Sequence, residues 1–159
     1  MKKNLTFSIL SGLLLGFSWP TKGQSLLIFF SLVPLLITIK RINDNEKKYK
    51  NVITFFVSYL SFFLWNLLTT WWIYNSTEFG ALFAILVNSS FYSLIMVVYR
   101  ISLNLIPKIT SHILLLSMWI SFEKFHLNWD FSWPWLNLGN VFSESTYFIQ
   151  WYEYTGVFG

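Results

Sequence analysis

Residues 129–139 have the sequence Trp-Asp-Phe-Ser-Trp-Pro-Trp-Leu-Asn-Leu-Gly, and the rest of the chain is organised around them. These eleven positions hold three of the nine tryptophans, one proline and one acid. The stretch is too polar to cross a bilayer and too aromatic to be a solvated loop. Its composition is typical of the boundary between lipid and water, where an indole ring buries its body and hydrates its N–H. We call residues 129–139 the tryptophan loop, and we expect the preceding sequence to hold it at one face of a membrane.

Composition places the whole chain among membrane proteins. Its 159 residues are 55% hydrophobic and only 11% charged, with a mean hydropathy of +0.52. Soluble domains carry about 25% charged residues, and the deficit here is spread along the chain. The absence of cysteine excludes disulfides, a thiolate metal site and a cysteine nucleophile within these residues. The sequence indicates no metal site and no cofactor.

Long runs without a charged residue predict an all-α membrane protein, a polytopic bundle of five transmembrane helices plus the start of a sixth. A span needs about 20 apolar residues. Residues 109–122 form a shorter charge-free run, so we expect the fifth helix to continue through Glu123 and Lys124 into the interface. Residues 1–159 form a single transmembrane domain, and we expect a fragment of a longer protein because the chain stops with no polar cap. The predicted helices cover about residues 5–19, 24–39, 51–69, 79–99 and 108–124, followed by an interfacial loop at 125–150 and the start of the sixth helix at 151–159.

Basic residues collect on one side of this predicted topology. Nine of the eleven Lys and Arg residues fall on that side, and only Lys22 and Lys124 fall on the other. Basic loops stay in the cytoplasm, so the N-terminus is predicted to be cytoplasmic. The most charged segment, residues 40–50, is predicted to be a solvated cytoplasmic loop, and no nucleic-acid partner is expected. The nine residues are Lys2, Lys3, Lys40, Arg41, Lys47, Lys48, Lys50, Arg100 and Lys108.

Tryptophan collects at the opposite face. A symmetric anchoring belt uses both interfaces, whereas no tryptophan marks the inner face in this topology. The outer face is therefore predicted to hold a lipid or to seat another domain in addition to anchoring the bundle. The outer-face tryptophans are Trp19, Trp71, Trp72, Trp129, Trp133, Trp135 and Trp151.

A few polar side chains lie within or at the ends of the predicted spans. Asn88, Ser89 and Ser90 fall near the centre of the fourth, where small polar residues form packing and hydrogen-bonding contacts between helices. His112, near the start of the fifth helix, is predicted to be a structural donor or a headgroup contact. Glu123 is spaced to form an exposed pair with Lys124 or His126, with a catalytic carboxylate as the alternative.

Four segments of the chain resemble apolipoprotein N-acyltransferase, the bacterial enzyme that adds the third acyl chain to lipoproteins. Each motif is short, and their order and spacing along the whole chain carry the resemblance. The chain differs from the family pattern at Trp133, where Phe is commoner, and at Asn140, where Tyr is usual. The segments are Gly12 to Pro20, Trp72-Ile73-Tyr74 with Phe79-Gly80, Trp119 and Glu123 with residues 133–139, and residues 154–159.

The resemblance implies a location and a larger reaction. It places the chain in the bacterial inner membrane as a multi-pass protein with its Trp-rich loops on the periplasmic side. It implies a missing C-terminal nitrilase-like domain whose Glu-Lys-Cys triad transfers an acyl chain through a thioester. The implied partners are a phospholipid acyl donor and a lipoprotein N-terminus, and no catalytic residue is expected in these 159 residues.

Within that resemblance, five residues are candidates for lining a lipid or substrate site. Trp133 and Trp135 are predicted to wall the path of an acyl chain or lipoprotein, with Pro134 fixing the turn between them. Trp72 and Tyr74 are predicted to form a second wall. Interfacial anchoring without any substrate contact is the alternative for each of them.

Two other functions remain compatible with the sequence. A transporter module normally carries ionisable residues or broken helices at mid-membrane depth, and the central parts of these runs lack Asp, Glu, Lys and Arg. The second alternative is a membrane scaffold for a different catalytic domain, such as a polyprenol-phosphate glycosyltransferase.

Overall fold

The computed structural model describes residues 2–20, 23–45 and 48–158, and every regular element in that part of the chain is helical. The all-α prediction is therefore confirmed. Lys22 and Lys47, which contributed to the predicted charge distribution, lie outside the described residues. The α-helices are α1 (Lys2–Ser18), α2 (Ile28–Ser31), α3 (Val33–Asn45), α4 (Lys50–Thr70), α5 (Glu78–Ser102), α6 (Lys108–His126) and α7 (Tyr152–Thr155), and 3-10 helices cover Ser25–Leu27, Trp71–Asn75, Pro134–Leu136, Leu138–Phe142 and Thr146–Ile149.

Three helical stretches among the described residues are long and apolar enough to cross a membrane. They are Ser25–Asn45, Lys50–Asn75 and Glu78–Ser102, and they coincide with the second, third and fourth predicted spans. The helices α1 and α6 are present where the first and fifth spans were expected. Their passage through the membrane, and with it the count of five, stays a prediction.

The charged segment after the second predicted span is more helical than expected. Instead of ending near residue 39, α3 continues to Asn45. The side-chain amide of Asn45 donates to the carbonyl oxygen of Arg41 at 3.0 Å, and the Arg41 guanidinium lies 4.7 Å from the centre of the Phe7 ring. The guanidinium is attracted to the face of that ring, and its Nη1 is buried without a hydrogen-bond partner in the described part of the chain. The helix therefore extends past the apolar run and shortens the predicted loop.

A close seam joins α1 to α4. A Cβ placed on Gly12 would lie 2.6 Å from the carbonyl oxygen of Ser61, and one on Gly16 would lie 2.6 Å from a methyl carbon of Leu68. Small residues four positions apart let two membrane helices approach to backbone contact. Across the same seam, the hydroxyl of Ser61 donates to the carbonyl oxygen of Ser8 at 2.8 Å.

A buried amide pair joins α4 to α5. The side-chain amide of Asn88 donates to the side-chain oxygen of Asn66 at 2.9 Å, which confirms the predicted interhelical hydrogen bond at Asn88. Ser89 and Ser90 instead donate to carbonyl oxygens one turn back in their own helix, at 2.6 and 2.8 Å. Such back-bonding satisfies a hydroxyl without a neighbouring helix.

An aromatic core joins α4, α5 and α6. The rings of Phe62, Trp65, Tyr92 and Trp119 are all buried, and the centres of the Tyr92 and Trp119 rings lie 4.6 Å apart. Aromatic side chains bury more surface than any others and dominate such cores.

At the far end of α6, the ring nitrogen Nε2 of His112 lies 3.2 Å from the Tyr99 hydroxyl. The helices α5 and α6 are therefore antiparallel neighbours, and the predicted structural role of His112 is confirmed.

The two ends of the bundle differ in chemistry. At one end, Lys50 donates to the carbonyl oxygen of Asn43 at 2.6 Å, and Arg100 donates to the side chain of Asn51. At the other end, the rings of Trp72 and Trp135 meet edge to face with centres 5.3 Å apart. The tryptophan loop is thus held at the end of the bundle away from these basic side chains.

Candidate functional site

The carboxylate of Glu123 lies at the centre of the bundle end that carries the tryptophan loop. Glu123 belongs to the last turn of α6 and is only 5% exposed. Its Oε1 accepts a hydrogen bond from the indole N–H of Trp119 at 2.8 Å and another from the backbone N–H of Leu138 at 3.0 Å. One carboxylate thereby ties the tryptophan loop to α6, and hydrogen bonds to an ionised acceptor are stronger than neutral ones.

The environment of Glu123 corrects the sequence prediction. Its side chain is enclosed, and two N–H groups of the protein already donate to its Oε1. The residue lies beyond the charge-free run 109–122, and its carboxylate points inward. The predicted exposed pair with Lys124 or His126 is wrong, because the loop returns over the helix end and encloses the carboxylate.

The tryptophan loop is built from capped 3-10 turns. Pro134 is the first residue of the helix Pro134–Leu136, a position that suits its fixed φ and missing N–H. Its carbonyl oxygen accepts from the side-chain amide of Asn140 at 2.9 Å. The side-chain oxygen of Asn137 accepts from the N–H of Gly139 at 2.9 Å and starts the next 3-10 helix. Pro134 therefore lies at the start of the turn between Trp133 and Trp135.

The C-terminal residues fold back over the loop at Gly139. A Cβ on Gly139 would lie 2.3 Å from the carbonyl oxygen of Val157, so only glycine allows this approach. The hydroxyl of Tyr152 donates to the carbonyl oxygen of Gly139 at 3.2 Å, and burial followed by the nearby charge of Glu123 raises the pKa of Tyr152. The expected start of a sixth helix is a single turn, Tyr152–Thr155, within residues 151–158.

Two large clefts border this junction. The first, of about 750 Å³, lies between α3 and α6 and is lined by apolar side chains together with Glu123 and Tyr152. The second, of about 770 Å³, lies where α1, α4 and the loop meet, and it is lined by both Trp72 and Trp135. Clefts of this volume are in the range of small-molecule sites.

The five predicted lining residues divide between different surfaces. Trp72 and Trp135 contact each other and share the second cleft, so the structure brings together one residue from each predicted wall. Trp133 lines a third cavity beside α5. Tyr74 is exposed and borders a separate groove with Glu78 and Phe79. The walls predicted from sequence are therefore not two continuous surfaces.

Comparison with known proteins identifies the family of the chain. The sequence model of the apolipoprotein N-acyltransferase N-terminal domain matches residues 11–159. The chain belongs to this family. The match extends from α1 through the tryptophan loop to the C-terminal tail, and so includes the junction at Glu123.

Alignment with one curated relative shows the sequence identity and how much of that relative the chain covers. The apolipoprotein N-acyltransferase of Chlorobaculum tepidum is 29% identical over 162 residues. The alignment covers 100% of this chain and 29% of the relative, so the chain spans less than a third of that protein's length. No solved structure matches the chain.

Two features of this domain were not predicted from the sequence. Sequence reasoning left Glu123 at the surface, although the apolar residues on both sides of the Glu123-Lys124 pair were a signal for partial burial. It also considered His126 only as an exposed partner of Glu123, whereas His126 is 5% exposed and packs its ring on Phe122 with centres 4.9 Å apart. Among residues 2–20, 23–45 and 48–158, no group of three or more His, Cys, Asp or Glu side chains is placed to hold a metal ion.

Proposed function

We propose that the chain is the membrane-embedded part of a phospholipid:apolipoprotein N-acyltransferase. The observation that carries this proposal is the family match over residues 11–159. The name of the Chlorobaculum tepidum relative supports it. The bundle supplies what such a part needs, namely apolar helices that cross lipid and a structured aromatic end with clefts large enough for acyl chains.

The proposed reaction uses a cysteine in a domain outside this sequence. The thiolate attacks an ester carbonyl carbon of a phospholipid, the C–O bond breaks, and the lysophospholipid leaves. The α-amino group of the N-terminal cysteine of a diacylated lipoprotein then attacks the thioester. The C–S bond breaks, an amide forms and the thiolate returns, so one difficult acylation is divided into two easier transfers.

We place the chain in the bacterial inner membrane with its N-terminus in the cytoplasm. The basic end, with Lys50 and Arg100, then faces the cytoplasm, and the tryptophan loop faces the periplasm. The positive-inside rule supports this orientation. In this arrangement the bundle is a base on which a periplasmic catalytic domain meets lipids from the outer leaflet of that membrane.

Trp72 and Trp135 are the residues we assign to lipid contact in the second cleft. The two rings are 41% and 50% exposed, so both present apolar surface to the cleft. Pro134 positions Trp135 by starting the 3-10 turn. Trp133 and Tyr74 stay candidates for lipid contact on the neighbouring surfaces.

Complementation tests the proposal. The intact protein that carries this chain is expressed in cells depleted of their own N-acyltransferase, and mass spectrometry reads the acyl chains on a lipoprotein N-terminus. The intact protein is expected to restore the third chain. Trp135→Ala is expected to reduce triacylation by about fivefold or more, because it removes one side of the cleft, whereas Tyr154→Ala, at an 86% exposed position, serves as the control.

Two results would contradict parts of this proposal separately. No third acyl chain from a stably expressed intact protein would remove the N-acyltransferase assignment. Equal triacylation by wild type and Trp135→Ala, at equal protein levels in the membrane, would remove only the assigned role of the Trp72–Trp135 cleft.

A further inference from the structure

Arg100, near the end of α5, is a buried cation whose partner in the described part of the chain is neutral. The side chain is 8% exposed, and a guanidinium keeps its charge in proteins. Its Nη2 donates to the side-chain oxygen of Asn51, and no carboxylate of the described residues pairs with it. Charged side chains are almost never buried without an opposite charge. An anion from outside the described residues is therefore expected beside Arg100.

The bond to Asn51 places the guanidinium at the first turn of α4, where Asn51 is the second residue. The Nε of Arg100 is enclosed and has no partner among the described residues. In contrast, Nη1 keeps accessible surface and makes no hydrogen bond with them. Nη1 is therefore the donor that a ligand at this turn can reach.

The first turn of α4 also carries unpaired backbone donors. Its first intrahelical hydrogen bond runs from the N–H of Ile53 to the carbonyl oxygen of Tyr49 at 2.9 Å, and the N–H groups of residues 50–52 have no acceptor among the described residues. The side chain of Tyr49 does not cap the turn, and the turn contains no acid. By comparison, α5 begins with a Thr77 cap and with Glu78 in its first turn. The N-terminus of α4 thus retains the partial positive charge that attracts anions.

A second cation, Lys50, belongs to the same turn. One of its three ammonium N–H bonds is directed to the carbonyl oxygen of Asn43, at 2.6 Å, so two remain. Asn43 and Asn104 exchange two side-chain hydrogen bonds, at 2.7 and 3.1 Å. These contacts hold the ends of α3 and α5 against the start of α4, and the nearby acid Asp44 is exposed.

The chemistry and the depth of this turn define the class of anion. A guanidinium, an ammonium and backbone N–H groups offer hydrogen-bond donors only, which match the oxygens of a phosphate group. The 21 residues of α4 rise about 31 Å at 1.5 Å per residue, close to the ~30 Å of a bilayer core. In a membrane the first turn of α4 therefore lies at the depth of phospholipid phosphates.

We propose that the first turn of α4 binds a phosphate group together with Arg100 and Lys50. The phosphate oxygens accept hydrogen bonds from Nη1 of Arg100 and from the N–H groups of residues 50–52, and the ammonium of Lys50 adds a second positive charge. The site lies at the end of the bundle opposite the tryptophan loop, so it is independent of the proposed acyl transfer. The phosphate belongs either to the headgroup of a lipid in the adjacent leaflet or to a soluble ion.

Hydrogen–deuterium exchange of the intact protein tests the inference. The protein is delipidated in a neutral detergent, and exchange at residues 50–52 is followed by mass spectrometry. Phosphatidylglycerol is expected to slow this exchange about tenfold or more, as one charge-assisted hydrogen bond implies. Diacylglycerol with the same acyl chains lacks the phosphate and is expected to have no effect. The first turn of α5, which Thr77 caps, serves as the internal control.

The source of the phosphate is identified with inorganic phosphate, compared with chloride at equal ionic strength in lipid-free protein. Slowing by inorganic phosphate assigns the site to a soluble ion. Slowing by phosphatidylglycerol only assigns it to a lipid headgroup. Either result supports the inference, because both sources supply the same oxygens.

Three variants locate the site. Arg100→Gln is expected to abolish the slowing, and Lys50→Gln is expected to weaken it severalfold. Lys40→Gln removes an exposed cation from the same end of the bundle and is expected to keep the effect. Thermal unfolding shows that each variant is folded, and Lys50→Gln leaves Arg100 in place in case Arg100→Gln does not fold.

Three outcomes would overturn the inference. The first is equal exchange at residues 50–52 with phosphatidylglycerol, diacylglycerol, inorganic phosphate and chloride in folded wild type. The second is slowing that persists unchanged in folded Arg100→Gln or, should that variant not fold, in Lys50→Gln. The third is an effect that appears only after Glu46→Gln, because the chain itself would then supply the opposite charge to Arg100.

Discussion

At the scale of single residues, Glu123 links α6 to the tryptophan loop through two hydrogen bonds. Replacement by Gln keeps an oxygen that accepts from Trp119 and Leu138, whereas replacement by Leu leaves both N–H groups buried without a partner. Each unpaired donor costs about 1–3 kcal/mol. We expect Glu123→Leu to lower the thermal unfolding temperature in detergent micelles markedly, and Glu123→Gln at pH 7 to be at least as stable as wild type. Equal losses in the two variants would show that the hydrogen bonds are not what stabilises the loop.

At the scale of helices, the seam between α1 and α4 is sensitive to a single methyl group. A Cβ on Gly12 meets the backbone oxygen of Ser61 at 2.6 Å and the Cβ of Leu64 at 2.9 Å, whereas on Gly16 it meets only the Leu68 side chain, at 2.6 Å from a methyl carbon and 3.0 Å from Cβ. Overpacking that forces backbone shifts costs about 1–3 kcal/mol. We expect Gly12→Ala to be the more destabilising of the two changes in thermal unfolding. Gly16→Ala is the matched control, because both changes gain the same helix propensity, and a reversed order would argue against the seam.

Helices were predictable from this sequence to the extent that they depend on local composition. Charge-free runs predicted the bounds of α4 and α5 closely. The helix α3 continues past its charge-free run, where the Arg41 side chain packs on the Phe7 ring. The tryptophan loop was predictable as a structured, aromatic segment. Its internal geometry was not, because the 3-10 turn at Pro134 sends Trp133 and Trp135 to different cavities. The burial of Glu123 depends on a contact with Leu138, fifteen residues away, and no local pattern encodes that return.

At the scale of the whole molecule, the side of the membrane on which the tryptophan loop lies depends on whether α6 crosses it. Its 19 residues give a length of about 28 Å at 1.5 Å per residue, close to the ~30 Å of a bilayer core. It runs antiparallel to α5, with contacts from Tyr99–His112 at one end to Phe91–His126 at the other. A helix that accompanies a membrane-spanning neighbour over this length is expected to span as well.

Cysteine labelling tests that expectation, because these 159 residues contain no cysteine of their own and any cysteine elsewhere in the intact protein can be replaced by serine. Lys48→Cys, Leu105→Cys and Asp130→Cys place one thiol before α4, one between α5 and α6, and one in the tryptophan loop, all at exposed positions. With α4, α5 and α6 all spanning, a membrane-impermeant maleimide added to intact spheroplasts should label only position 130. Positions 48 and 105 should react after permeabilisation. If positions 105 and 130 both react only after permeabilisation, α6 does not cross, and the tryptophan loop lies on the cytoplasmic side, away from any periplasmic acyl transfer.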